Sequence, residues 1–214
     1  MVARCLAAAA LGCVVLLGGC ATGRSVLPAG IEAGANPAQG TAVRIAAVED
    51  ARVFTVKPPQ ADMPSLMEDK EIADKAITSR AVGRKRGGMG AALGDVLLPE
   101  GTSVAALVQT AVTRGLREAG YRVLASGDPG YEQAVPIRAR VDEFWSWFSP
   151  GFAAVTLSNR ATVNLQGALP LLAQGRTFRS EAANSMQVVV ESDWAAIVNK
   201  GLEALAATIA TGMR

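Results

Sequence analysis

The fold turns on the stretch Val135-Pro-Ile-Arg-Ala-Arg-Val141-Asp-Glu-Phe-Trp-Ser-Trp-Phe148, which Ser149-Pro150-Gly151 separates from Val155-Thr-Leu-Ser-Asn-Arg-Ala161-Thr-Val-Asn-Leu165. In the first half Val135, Ile137, Ala139 and Val141 alternate with Arg138, Arg140 and Asp142. In the second, Val155, Leu157, Ala161, Val163 and Leu165 alternate with Thr156, Ser158, Arg160, Thr162 and Asn164. A two-residue period with one apolar side predicts an antiparallel pair of strands covered on one face. A third strand is predicted from about Arg176 to Val190, with Phe178, Ala182, Met186 and Val188 on one side, and Pro170 in the connection.

Working outward, Thr102 or Ser103 can cap a helix with a stripe of Val104, Leu107, Val108, Ala111, Val112, Gly115 and Ala119, ended by Gly120. A short strand Tyr121–Leu124 follows, closed by the turn Gly127-Asp-Pro-Gly130. A second helix starts near Ser192 and carries Trp194, Ile197, Val198, Leu202, Leu205 and Ile209 on one side. The first strand is Ala42 to Val48. Residues 53–100, punctuated by Pro58, Pro59, Pro64 and Pro99 and crowded with glycine from Gly83 to Gly94, read as loop-rich, with a short strand near Ile77 to Val82. The predicted class is α+β: an antiparallel sheet of four to five strands with two amphipathic helices packed on one face. Residues 42–214 form a single domain.

Composition limits the chemistry. Of 214 residues, 21 are basic and 19 acidic, and the net charge of +2 provides no general pull towards nucleic acid. The chain has no histidine, which excludes Ser-His-Asp and Cys-His catalysis and histidine-ligated zinc. No metal or cofactor is expected. Asp142 and Glu143 are adjacent, so a strand sends them to opposite faces, where they cannot share a substrate. A hydrolase would need a clustered polar site that the sequence does not offer, and the chain is read as a binding protein and not an enzyme.

Two features suggest an interaction surface. Five of the ten aromatics, Phe144, Trp145, Trp147, Phe148 and Phe152, fall around one hairpin tip. Uninterrupted alternation puts Trp145 and Trp147 on the apolar face and leaves Phe144 and Phe148 on the other, with Phe152 in the tip, a pattern favoured at interfaces. The run Arg80-Ala-Val-Gly-Arg84-Lys85-Arg86-Gly reads as a basic, flexible loop suited to anionic lipid or a polyanionic wall component such as peptidoglycan. It lacks the spacing of a phosphate-binding loop.

The N-terminus has a single charge, Arg4, then an apolar run to Leu17, then Gly18-Gly19-Cys20. This is the pattern of a secretory signal over residues 1–19; the 15 residues from Cys5 to Gly19 fall short of the ~20 that a spanning helix needs. Leu17-Gly18-Gly19-Cys20 resembles the lipobox of bacterial lipoproteins. Cys13, after Ala10-Leu11-Gly12, competes for the role but leaves a signal core at the short end of the usual range. The resemblance implies cleavage before Cys20, a diacylglyceryl thioether on its sulfur and an acyl group on its new amine. Three chains hold far more tightly than one. Cys5 and Cys13 would leave with the signal, so the mature chain would hold no disulfide. Residues 20–41, rich in Gly, Ala and Pro, read as a lipidated flexible tether with a reach of roughly 25 Å. In Gram-negative lipoproteins Asp after the lipidated Cys retains the protein in the inner membrane, so Ala21 implies sorting to the outer membrane.

The segment Leu107-Val-Gln-Thr-Ala-Val-Thr-Arg-Gly-Leu-Arg-Glu-Ala-Gly-Tyr-Arg-Val123, with the order lipobox, strand, helix, meander, helix, resembles YajG-type lipoproteins over most of residues 42–212. That resemblance implies no catalytic residues. It implies an accessory part in envelope assembly or transport, with outer-membrane lipid and an envelope protein as partners.

Overall fold

The computed structural model describes residues 22–87 and 90–214. The predicted signal peptide, Leu17, Gly18, Gly19, Cys20 and Ala21 lie outside the described residues. Eight strands form one sheet: β1 (Ser25–Val26), β2 (Ala42–Asp50), β3 (Ala81–Arg86), β4 (Ala92–Leu97), β5 (Arg122–Val123), β6 (Val135–Pro150), β7 (Val155–Gly167) and β8 (Arg176–Met186). Helices α1 (Lys75–Thr78), α2 (Val104–Glu118) and α3 (Glu191–Gly212) accompany them, with 3-10 turns at Asp69–Ala73 and Pro170–Leu172.

The expectation of a four- to five-stranded antiparallel sheet is therefore corrected. The sheet is mixed, and four of its seven strand pairings are parallel: β1 with β4, β2 with β5, β2 with β6 and β3 with β6. The β6–β7–β8 meander is antiparallel, as is the β3–β4 hairpin. The parallel pairings follow from connectivity. Between β2 and β6 the chain climbs through α2, and a return through a helix sets the next strand parallel. The segment 53–100, read as loop, supplies two strands whose glycines and cations hide their period.

β6 is the axis of the sheet. One edge pairs with β7 along its length, from Ile137↔Gly167 to Pro150↔Val155. The other edge is divided: β2 pairs from Val135 to Val141, and β3 joins at Ser146. At this fork Arg52, just past the end of β2, is buried. Its guanidinium donates to the carbonyls of Thr78 (2.8 Å), Ala81 (2.6 Å) and Phe144 (3.2 Å), and its Nε and Nη2 each lie 2.8 Å from an Asp50 carboxylate oxygen. One side chain thus satisfies carbonyls that the fork leaves without ladder partners.

A β-bulge lies beside the fork. Val141 pairs with Val163 and Glu143 with Thr162, so Asp142 is an extra residue in β6. An inserted residue reverses the alternation beyond it. Ile137, Ala139 and Val141 face the helices, and after the bulge Phe144 joins them in the main core. Trp145 turns to the other face, where it packs with Leu66, Ala81 and Leu97, and with Phe54, Ile72, Ile77 and Trp147 at the margin. The sheet is thus covered on both faces here: α2 and α3 lie on one, residues 54–77 on the other.

α2 begins at Ser103, whose Oγ accepts from the Ala106 N–H (3.2 Å), and its buried residues include the predicted stripe from Val104 to Gly115. α3 approaches the sheet closely at Gly201, where a Cβ would overlap the side-chain oxygen of Asn159. Asn159 is buried and donates to the Ser146 Oγ (2.9 Å).

Residues 22–36 are docked, which corrects the flexible tether predicted over 20–41. Gly23 N–H donates to the Leu93 carbonyl (2.6 Å), and Ser25–Val26 adds a parallel edge strand to β4. Gly94 makes this approach feasible, since a Cβ there would fall on the Gly23 carbonyl oxygen. Leu27, Ala29 and Ile31 then pack on the main core. Gly30 N–H donates to Asn199 of α3 (2.8 Å), Arg117 of α2 donates to the Gly34 carbonyl (2.7 Å), and the Asn36 amide pairs in both senses with the Val123 backbone (2.9 Å each). Alternating Leu27, Ala29 and Ile31 provide the apolar surface that this strap buries.

Candidate binding surface at one end of the sheet

Strand direction brings several features to one end of the molecule. β3 and β6 run parallel, so Arg86 and Pro150 finish at the same end. Val155 pairs with Pro150 and Met186 with Val155, so the β6–β7 tip and the exit of β8 join them. Gly23 enters beside Leu93, next to the start of β4, at that end too. A cavity of about 230 Å³ opens there, walled by Phe148, Val155, Val188, Trp194 and the aliphatic stems of Lys85 and Arg86.

The predicted residues are distributed unevenly over this surface. Phe152 is wholly exposed in the tip, and Phe148 is half-buried in the cavity wall. Phe144 is 0 % exposed in the main core, which corrects its reading as a contact residue; the bulge at Asp142 is the reason. The basic run is not a flexible loop. Arg84 and Lys85 are buried within β3, Arg84 donating to the Ser65 Oγ (3.2 Å) and Lys85 to the Ser25 Oγ (2.5 Å). Lys85 Nζ also lies 3.6 Å from the Glu191 carboxylate, which itself accepts from Ser25. The Ser25 hydroxyl, followed by the Lys85 charge, holds the Glu191 carboxyl below its ordinary value.

Arg86, like Lys85, lines the cavity, and part of its guanidinium is buried. Its Nη1 donates to the Gly90 carbonyl (3.3 Å), while Nε and Nη2 have no partner among the described residues. Burial, followed by the Arg84 charge, lowers its affinity for the proton.

The sequence missed the segment Gln187–Val190. The third strand, predicted to reach Val190, ends at Met186, and the chain peels away to the start of α3. Val188 and Val190 are left 73 % and 54 % exposed. The signal was present: three consecutive valines break the alternation just before the acidic helix start Glu191-Ser192-Asp193. The Asp193 carboxylate accepts from the Val190 N–H (2.8 Å), which marks that start.

A second groove, about 490 Å³, lies on the opposite face of the sheet and is lined by Asp62, Asp142, Glu143, Arg160, Thr162 and Arg179 among others. Here the bulge overturns another expectation, because Asp142 and Glu143 wall the same groove. Arg160 occupies it, bonded to Glu181 (2.7 Å) and Glu143 (3.1 Å) and stacked on Trp147 (4.9 Å). The Glu181 hydrogen bond leads the causes that raise the Arg160 pKa. The acids are engaged in a structural ion-pair network. Among the described residues no group of three or more Cys, Asp or Glu side chains is arranged to hold a metal ion. No described helix is long and apolar enough to cross a membrane.

No family model matches the chain, and no curated protein matches it. Among solved structures, the chain is similar to the crystal structure of an uncharacterized protein, at TM-score 0.46 and 12 % identity, over 90 % of this chain and 99 % of that one. It is also similar to a protein from Xanthomonas campestris assigned to family DUF330, at TM-score 0.41 and 11 % identity, over 87 % of this chain and 89 % of that one.

Proposed function

We propose that the chain is a lipid-anchored outer-membrane lipoprotein of the YajG type, acting as a non-enzymatic accessory subunit in cell-envelope assembly or transport. Its domain faces the periplasm, and its acyl chains are carried by Cys20. The observation that carries the reading is Leu17-Gly18-Gly19-Cys20, standing three residues before Gly23, where the docked strap begins. The exposed Phe152, Val188 and Val190 support a role in binding, since apolar side chains gathered at one end mark contact surfaces. The carboxylates of the second groove are paired, Asp62 and Glu143 with Arg160 and Asp142 with Arg140, which supports a role without catalysis.

Membrane fractionation tests the anchor and its sorting. The protein is expected in the outer-membrane fraction, Ala21→Asp is expected to move it to the inner membrane, and Cys20→Ser to leave an uncut precursor. Crosslinking in cells is expected to capture one dominant envelope protein. A wild-type protein released by washing membranes with salt and alkali contradicts the anchor, and crosslinking that yields no protein contradicts the accessory role.

A further inference from the structure

We infer that the end of the sheet formed by Phe152, Val188 and Val190 is a seat on the lipid bilayer itself, pressed against the membrane by the short link to Cys20. This rests on the proposed acylation of Cys20. The strap is docked from Gly23 onward, so only the bonds from Cys20 to Gly23 separate the lipid from the domain. Three residues span at most roughly 10 Å. A freely swinging domain would need the twenty-residue tether that docking has removed. Gly23 lies beside Leu93, at the same end as the β6–β7 tip, so whatever surrounds Cys20 meets that end first.

The chemistry of the end suits an interfacial position. Phe152 is wholly exposed in the β6–β7 tip, and Val188 and Val190, also exposed, line the cavity at the same end of the sheet. An aromatic and two aliphatic side chains suit the boundary between head groups and acyl chains. Lys85 pairs with Glu191, and Nε and Nη2 of Arg86 are buried, so the exposed apolar side chains carry the contact. The opposite end of the sheet has the Pro170–Leu172 turn and the Gly127–Gly130 turn, and points into the periplasm.

The test uses the full acylated protein reconstituted in phosphatidylethanolamine–phosphatidylglycerol vesicles. A fluorophore is placed on Phe152→Cys or Val188→Cys, with Ala173→Cys, at the far end, as control. Brominated phospholipids are expected to quench the labels at 152 and 188 at least twofold and to leave the label at 173 unchanged. Equal, weak quenching at all three positions, in a sample whose mass shows acylated Cys20, overturns the seat and leaves the anchor standing. A sample without acyl chains overturns both.

Discussion

Phe144 and Trp145 are consecutive in β6 and both fully withdrawn from solvent, one under the helices and the other beneath residues 54–77. Neighbours in a strand point to opposite faces, so this pair requires a sheet that is covered on both sides. The expected outcome of Phe144→Ala is a loss of about 3–5 kcal/mol, with Trp145→Ala similar. Phe152→Ser, in the exposed tip of the same hairpin, is expected to leave the melting temperature unchanged. Chemical denaturation of the three variants checks this.

Arg52 holds the fork in the sheet. Arg52→Met would leave three buried carbonyls and Asp50 unpaired, and is expected to cost about 3–5 kcal/mol. Arg52→Lys should recover little of this, because an ammonium cannot reach a carboxylate and three separated carbonyls at once. Equilibrium unfolding in urea distinguishes this from a surface ion pair, whose loss would be within about 1 kcal/mol.

Gly201 and Asn159 limit the approach of α3. Gly201→Ala is expected to destabilise by about 1–3 kcal/mol through overlap with the Asn159 amide. Asn159→Ala removes the obstructing oxygen, so the double variant should be more stable than the sum of the single losses implies. A double-mutant cycle measures that coupling.

The strap should detach without the domain unfolding. Gly94→Ala forces a Cβ onto the Gly23 carbonyl, and the expected result is faster tryptic cleavage after Arg24 with an unchanged core melting transition. Arg24 is held in the native strap by Glu71 and Asp95, so cleavage there reports docking directly.

Glu191 ties the same strap to β3 through Ser25 and Lys85. Its folded-state pKa is depressed, so its contribution is present above the ordinary carboxylate value and is lost as pH falls through the lower folded value. Wild type should therefore melt slightly above Glu191→Gln at neutral pH, and the difference should close as pH falls below the ordinary carboxylate range. Paired thermal melts across that range provide the check.

The meander and both long helices were legible because their periods are long and clean. Val104 to Gly115 repeats at helical spacing over three turns, and Leu157 to Leu165 alternates with a single polar exception at Asn159. What hid the rest was local. One inserted residue, Asp142, reversed the faces of Phe144, Trp145 and Glu143, and no period announces a bulge. β3 was masked by Gly83 and three cations, of which Arg84 and Lys85 are buried against partners distant in sequence: Ser65, Ser25 and Glu191. The strap looked like a tether because it is rich in Gly, Ala and Pro with few charges, although Leu27, Ala29 and Ile31 supplied the alternation that docks it. The proposed binding surface was half legible: Phe148, Phe152 and Arg86 lie at that end of the sheet, whereas Val188 and Val190 surfaced only where β8 ends early.

The most direct test of the central claim is the mass of the N-terminal tryptic peptide from protein extracted out of membranes. The account predicts Cys20-Ala-Thr-Gly-Arg24 with a diacylglyceryl group on sulfur and an acyl group on the amine. A peptide that continues upstream of Cys20, or begins at Cys20 with a free thiol, would contradict it.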